Sequence, residues 1–320
     1  MTKQVSLNSF LPPKRPPLAS INAYRGRFAP SPSGLLHFGS LVAALASFLD
    51  AKSFITPSGH SGQWLVRIED IDPPREQAGA SSAILATLDA FGLHWDEPVL
   101  YQSQQSEVYL DTLNDLQQQK LSYYCQCSRA EIKALGGIYQ GHCRTLHHSK
   151  NNSAIRLINQ YGLYQFDDLF QKQEQGKVEC DKALAEEDFI IHRKDGLFAY
   201  QLAVVVDDIY QNISHVIRGC DLLEPTARQL SLFSTLNSPI PEYGHIPLAI
   251  TTHGYKLSKQ NKAPTINNNN PQPALIAALA FLGQKPDPSL VNEKVDDIIY
   301  WAINHWSRDK VPNVKEISIE

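Results

Sequence analysis

No run of apolar residues in this sequence reaches the length of a membrane span, which takes about 20 consecutive apolar residues. The first 22 residues also lack the continuous apolar core of a secretory signal. Pro12, Pro13, Pro16 and Pro17 around Lys14 and Arg15 predict a disordered tail over 1–22 instead. Cysteine is scarce: five in 320 residues, three of them clustered, which argues against a disulfide framework and for metal ligation in a reducing, cytoplasmic compartment. An excess of basic charge is missing too. Lys and Arg number 29 against 33 Asp and Glu, a net charge of −4, which excludes a generic nucleic-acid coat and confines any RNA contact to one surface. There is no internal repeat. What remains is a chain long enough for a sizeable core and two or three subdomains.

Arg27-Phe28-Ala29-Pro30-Ser31-Pro32-Ser33-Gly34-Leu35-Leu36-His37-Phe38-Gly39-Ser40 is the stretch that organises the rest. A short strand-like segment precedes it. After it, Leu41, Ala44, Leu45, Phe48 and Leu49 recur at helical spacing and predict one apolar helix face. Two prolines stiffen the connecting loop and bias Ala29 and Ser31 away from helix. A helix start at the carboxyl end of a strand presents free N–H groups and a positive dipole end to phosphate. Further on, Gln63 to Asp70 reads as a half-buried strand that ends in Glu69-Asp70-Ile71-Asp72, before a helix predicted from Arg75 to Phe91. Other expected elements are a helix over Ser106–Lys120, a strand over Ala154–Ile158 and an apolar run over Gln201–Asp208 that is helix or buried strand. A strand over His215–Gly219, a helix from Pro225 to Leu236, and helices over Pro273–Leu282 and Leu290–Trp306 complete the pattern.

Pro30-x-Pro32-x-Gly34-x-x-His37-x-Gly39 resembles the first signature of class I aminoacyl-tRNA synthetases of the glutamate/glutamine branch. Lys256-Leu257-Ser258-Lys259-Gln260, about 220 residues on, resembles the second, Lys-Met-Ser-Lys-Ser. Ser40, Leu257 and Gln260 depart from the usual motifs, whereas His37, Gly39 and Lys259 are kept. The resemblance runs from about Tyr24 through the second signature. It implies an α/β, Rossmann-like catalytic domain (23–100 and 190–237), an inserted acceptor-type subdomain (101–189), and a signature loop with a helical C-terminal subdomain (238–320). It also implies that His37, Gly39, Lys256, Ser258 and Lys259 hold ATP with Mg²⁺, and that His37, Gly39 and Lys259 serve catalysis.

Free glutamate carries two carboxylates and one ammonium, so a site selecting it needs planar cations and an anion. Arg27, Arg218, Glu69 and the neutral hydroxyl of Tyr200 are the candidates. At the matching positions the family lines its amino-acid pocket, together with Phe28, Ala29, Pro30 and Ser31 of the first loop. Which arginine meets which carboxylate stays open. The reaction implied is attack of the glutamate carboxylate on the α-phosphorus of ATP, which calls for no protein nucleophile.

Cys125, Cys127 and Cys143 offer three ligands for a tetrahedral metal. For the fourth, His142 sits beside Cys143 and is poorly placed to reach the same ion. His147 and His148 are the generic choice, and Tyr139 is a further candidate. Cys-x-Cys, eleven residues, Tyr, three residues, Cys resembles the zinc knuckle of glutamyl-queuosine tRNA(Asp) synthetases, and that likeness implies Tyr139 as the fourth zinc ligand. Only about 60 residues follow Lys259, less than an anticodon-binding domain usually needs. The truncation points to the same subfamily, whose members attach glutamate to queuosine in tRNA(Asp). Charging of a tRNA 3′ end, or a non-catalytic tRNA-binding role, are the alternatives.

Overall fold

In the computed structural model the described residues are 24–57, 59–134, 136–172, 176–251 and 266–319. The expected tail over 1–22 and the second signature, with Lys256, Ser258 and Lys259, lie outside them. Strand β1 (Arg25–Phe28) leads through the organising loop into α1 (Phe38–Lys52), then β2 (Gln63–Ile68), α2 (Ala80–Ala90) and β3 (Leu100–Tyr101). The predicted face of α1 is the buried one: Leu41, Ala44, Leu45 and Leu49 are fully covered and Phe48 nearly so. Helix α2 starts later than the sequence pattern predicts. Pro73-Pro74-Arg75 closes a 3-10 turn and Gly79 takes a left-handed φ of 79° before the helix begins. A left-handed residue cannot belong to a right-handed helix, so α2 begins only after Gly79.

The chain next leaves the sheet. Helix α3 (Ser106–Gln118), β4 (Ser122–Cys125), α4 (Arg129–Ala134), β5 (Ala154–Leu157), the short strands β6 (Gln165–Phe166) and β7 (Val178–Glu179), α5 (Lys182–Glu186) and β8 (Ile190–His192) follow in order. Antiparallel β4, β5 and β8 form a separate three-stranded sheet. Ser128 caps α4 through a reciprocal pair, its Oγ accepting from Glu131 N–H at 3.2 Å and its own N–H donating to the Glu131 carboxylate at 2.6 Å.

The return is through α6 (Tyr200–Tyr210), β9 (His215–Gly219), α7 (Leu223–Thr235) and β10 (Glu242–Ile246). The apolar run over 201–208 is therefore helical, and α7 opens two residues before Pro225, whose missing N–H falls in the first turn where no partner is needed. The main sheet is parallel, in the order β10-β9-β1-β2-β3. The strand order reverses between β1 and β9, and in open α/β sheets ligands collect outside the carboxyl ends of the strands at such a point. Strand β11 (Leu248–Thr251) pairs with the final β12 (Glu316–Ile319), and α8 (Gln272–Phe281) and α9 (Val295–His305) pack onto the α1 side of the core. Buried Asp50 of α1 anchors that end: it accepts from Trp306 Nε1 at 3.0 Å and from Arg308 at 2.8 and 2.9 Å.

Candidate active site

Backbone bonds clip the organising loop to the next strand exit: Glu69 N–H donates to Pro30 O at 3.0 Å, and Gln77 N–H to Pro32 O at 2.9 Å. Gly34 takes φ 137°, a conformation open chiefly to glycine. His37 is the N-cap of α1. Its Nδ1 accepts from Ser40 N–H at 3.4 Å and its own N–H donates to Ser40 Oγ at 2.8 Å. Ser40, the departure from the usual signature, thus completes a capping box, and Gly39 stands in the first turn of the helix. Beside the loop opens a cavity of about 300 Å³, lined among others by Ser31, Ser33, Glu69, Gln102, Arg193 and Tyr200.

Glu69 and Gln102 connect that cavity to a buried charged layer. Arg27 of β1 pairs with Asp208 of α6 at 3.1 and 3.3 Å. Arg67 of β2 also meets Asp208, at 2.7 Å, and approaches Asp207 at 3.7 Å. Asp207 is held by Gln102 at 2.7 Å and by the Tyr109 hydroxyl at 2.8 Å. Glu69 lies at the edge of this layer, 3.9 Å from Arg67 and 9% exposed. Burial pushes its carboxyl up to about 7, against the pull of Arg67 and Arg27. The two aspartates that end the α6 run are therefore part of the site's charge balance, a role that their sequence context only hinted at.

Arg218 of β9 lies behind the cavity lining, within electrostatic reach of Tyr200. The charges of Arg218, Glu69 and Arg27 all act on the buried Tyr200 phenol, which burial raises above its ordinary range. The structure thus brings together the four side chains named for glutamate. Arg218 itself is held by neutral groups. Its Nε donates to His245 Nε2 at 3.1 Å, and its Nη2 donates to Thr226 Oγ1 at 2.7 Å and Leu222 O at 3.3 Å. An arginine Nε can only donate, so His245 Nε2 is the bare acceptor and Nδ1 carries the proton, donated to Asp168 at 2.6 Å. Asp168 Oδ1 in turn accepts from the backbone of Phe170, Gln171 and His245. Asp168 and His245 were not among the sequence candidates; they lie 77 residues apart and meet only across the fold. Arg218 is 5% exposed, its Nη1 has no partner, and among the described residues no carboxylate reaches it within salt-bridge distance. A buried cation with an open donor and no counter-charge is costly unless an anion arrives.

A second site lies in the insert. The sulfurs of Cys125, Cys127 and Cys143 all fall within 4.8 Å of one another, all three cysteines are free, and no histidine, Asp or Glu among the described residues joins them. This cluster can hold a metal ion. The buried Tyr139 hydroxyl accepts from Cys143 N–H at 2.7 Å and stands beside the Cys143 and Cys125 sulfurs. Arg156 lies 3.7 Å over the Tyr139 ring and donates to Cys125 Sγ at 3.2 Å. His147 and His148 line a separate surface pocket with Cys143 and Arg144.

Comparison with known proteins places this architecture. The profile of the class I tRNA synthetases (E and Q), catalytic domain, matches residues 23–293. A curated relative named Glutamyl-Q tRNA(Asp) synthetase from Colwellia psychrerythraea is 71% identical over 302 residues, covering 93% of this chain and 95% of its own. The protein of that name from Escherichia coli K12 is 52% identical over 289 residues, 90% of this chain and 91% of its own. Among solved structures, a glutamate-tRNA synthetase from Elizabethkingia anophelis shares the fold, with a TM-score of 0.72 at 22% identity over 92% of this chain and 68% of that one. The chain therefore belongs to the glutamyl-Q tRNA(Asp) synthetases, ligases of the class I glutamate and glutamine branch.

Proposed function

We propose that the protein activates L-glutamate with ATP in the absence of tRNA and transfers the glutamyl group to queuosine in tRNA(Asp). The observation that carries the glutamate half is Arg218, a buried cation with an open donor beside Tyr200, Arg27 and Glu69. The transfer half rests on the relatives' names. A glutamate α-carboxylate oxygen attacks the α-phosphorus of ATP in line, and pyrophosphate leaves. The protein's part is alignment and charge neutralisation. His37 and the α1 start near Gly39 hold the nucleotide, Lys256, Ser258 and Lys259 hold the phosphates, and Mg²⁺ accompanies ATP. Arg27, Phe28, Ala29, Pro30, Ser31, Glu69, Tyr200 and Arg218 hold glutamate. Glutamate-dependent ATP–pyrophosphate exchange without tRNA tests the first step. Transfer that survives periodate oxidation of the tRNA 3′ end, and that fails on tRNA lacking queuosine, tests the second; transfer abolished by periodate would mean 3′-end charging instead. No helix among the described residues is long and apolar enough to cross a membrane; the cytoplasmic setting proposed rests on the relatives' names.

The substrate ammonium pairs with Glu69 only when that carboxyl is ionised. With its pKa pushed up to about 7, binding below that pH must first displace a proton. The KM for glutamate should therefore rise as pH falls below about 7, close to tenfold per unit, and level off above it. Glu69→Gln should flatten the profile at weak binding. A KM independent of pH from 5.5 to 8 would exclude Glu69 from the ammonium site.

Cys125, Cys127, Cys143 and Tyr139 fit a structural zinc ion, whose charge compensates three crowded sulfurs and which ties β4 to the loop after α4. Cys127→Ser is expected to lower metal content from about one ion per chain to a trace. Hydrogen exchange should speed up over 124–144 and leave α1 unchanged. Full metal occupancy in the variant, or loosening that starts at α1, would refute the knuckle.

A further inference from the structure

Arg218 is not the only open donor in its neighbourhood. The Tyr243 hydroxyl is also buried without a hydrogen-bond partner, and the buried Gln229 amide faces the Tyr200 phenol; both residues are at least nine-tenths covered, at 2% and 1% exposure. Leaving a buried polar group unpaired is costly, so the two open donors of Arg218 and Tyr243 side by side call for a ligand. The fold gathers them. Tyr243 and His245 alternate onto one face of β10, opposite Val216 and Arg218 of β9, and the Arg218 guanidinium stands 5.0 Å from the Tyr243 ring centre. Gln229 follows Thr226 by one turn of α7, on the side that already grips Arg218. Tyr200 links the group to the cavity: it lines the pocket, and its phenol feels both Arg218 and the Gln229 amide.

We propose that Gln229 and Tyr243 are specificity-determining residues which, with Arg218 and Tyr200, make the far end of the pocket an all-donor site for the substrate's side-chain carboxylate. Gln229 presents its amide to the Tyr200 oxygen and leaves the Tyr200 O–H to point at the substrate. Tyr243 O–H and Arg218 Nη1 supply further donors. A carboxylate satisfies all of them. A carboxamide brings its own two N–H groups against donors and leaves buried groups unpaired, the arrangement that gives the sharpest discrimination between near-isosteric substrates. This reading rests on glutamate being the amino acid activated.

The experiment measures ATP–pyrophosphate exchange with glutamate, glutamine and aspartate for the wild type, Tyr243→Phe and Gln229→Leu, with thermal unfolding of each ligand-free protein. Tyr243→Phe removes an unpartnered hydroxyl, so its melting temperature should stay level or rise. Its KM for glutamate should rise at least tenfold with kcat within about twofold, and the preference for glutamate over glutamine should shrink. Gln229→Leu should behave likewise. Gln229→Glu, which would give Arg218 an internal counter-charge, should lose glutamate binding altogether with the fold kept. If the wild type depends on glutamate and both Tyr243→Phe and Gln229→Leu keep its KM within twofold, the inference is overturned. A raised KM that appears only together with a lowered melting temperature also overturns it, since that is the mark of a packing role. A wild type whose exchange ignores glutamate would bring down the proposed function itself.

Discussion

Arg218→Met is expected to raise the KM for glutamate by about two to three orders of magnitude, within the ~2–5 kcal/mol lost when one partner of a buried charge pair is removed. It should do so without destabilising the free protein. In the ligand-free fold the guanidinium is surrounded by His245, Thr226, the Leu222 carbonyl and the Tyr243 ring, all neutral. Asp168, the nearest acid in this chain of contacts, is separated from it by the His245 ring. Replacing the cation with an apolar side chain of similar reach removes an uncompensated buried charge, a change that is often neutral or stabilising. The two readouts should therefore move apart, with melting temperature level or higher and glutamate-induced thermal stabilisation gone. Arg218→Lys should not restore binding, because an ammonium cannot serve His245, Thr226 and a substrate carboxylate in the same fork. A variant that binds glutamate normally, or one that unfolds, would contradict this account. Arg27 contrasts with it. Its pairing with Asp208 means that Arg27→Ala takes away one of two cations and leaves Arg67 alone to balance buried Asp207 and Asp208, so stability should fall along with activity.

Lys259→Ala is expected to cost about 10²–10³ in the rate of adenylate formation, roughly 3–4 kcal/mol, the usual effect of deleting one charge that acts on the transition state. The expectation follows from the position of Lys259 in the second signature and from the reaction. Negative charge shifts toward the pyrophosphate as it leaves, and an ammonium that meets it there favours the transition state over the ground state. The loss should appear in kcat for ATP–pyrophosphate exchange. Melting temperature and the thermal shift induced by glutamate alone should stay unchanged, since the proposed amino-acid pocket draws its residues from β1, α6, β9 and the end of β2. Unaltered exchange would refute the role of the second signature.

Much of this site was legible in the residue pattern because it depends on neighbours in the chain. The loop from Ala29 to His37, the apolar face of α1 and the β9 bounds are local facts of proline, helical period and β-branched runs. Ser40 looked like a departure from the family motif, and the structure shows it completing the cap with His37. The start of α2 was placed at Arg75, too early, because the sequence pattern does not show that Gly79 takes a left-handed conformation that the helix cannot include. The helix-or-strand ambiguity at 201–208 was decided by packing against α3 and α7.

The sequence by itself determined the family, the two signatures, the three thiols and the charged groups proposed for glutamate, all carried by short motifs whose chemistry is set within a few residues. Only the tertiary structure decided how those charges are used. Parallel register sets Arg218 against His245, and α6 delivers Asp208 to Arg27 from 181 residues away. Burial then holds the Glu69 carboxyl near neutrality. Pairing and desolvation depend on what surrounds a group in space, and that is settled when distant segments pack together.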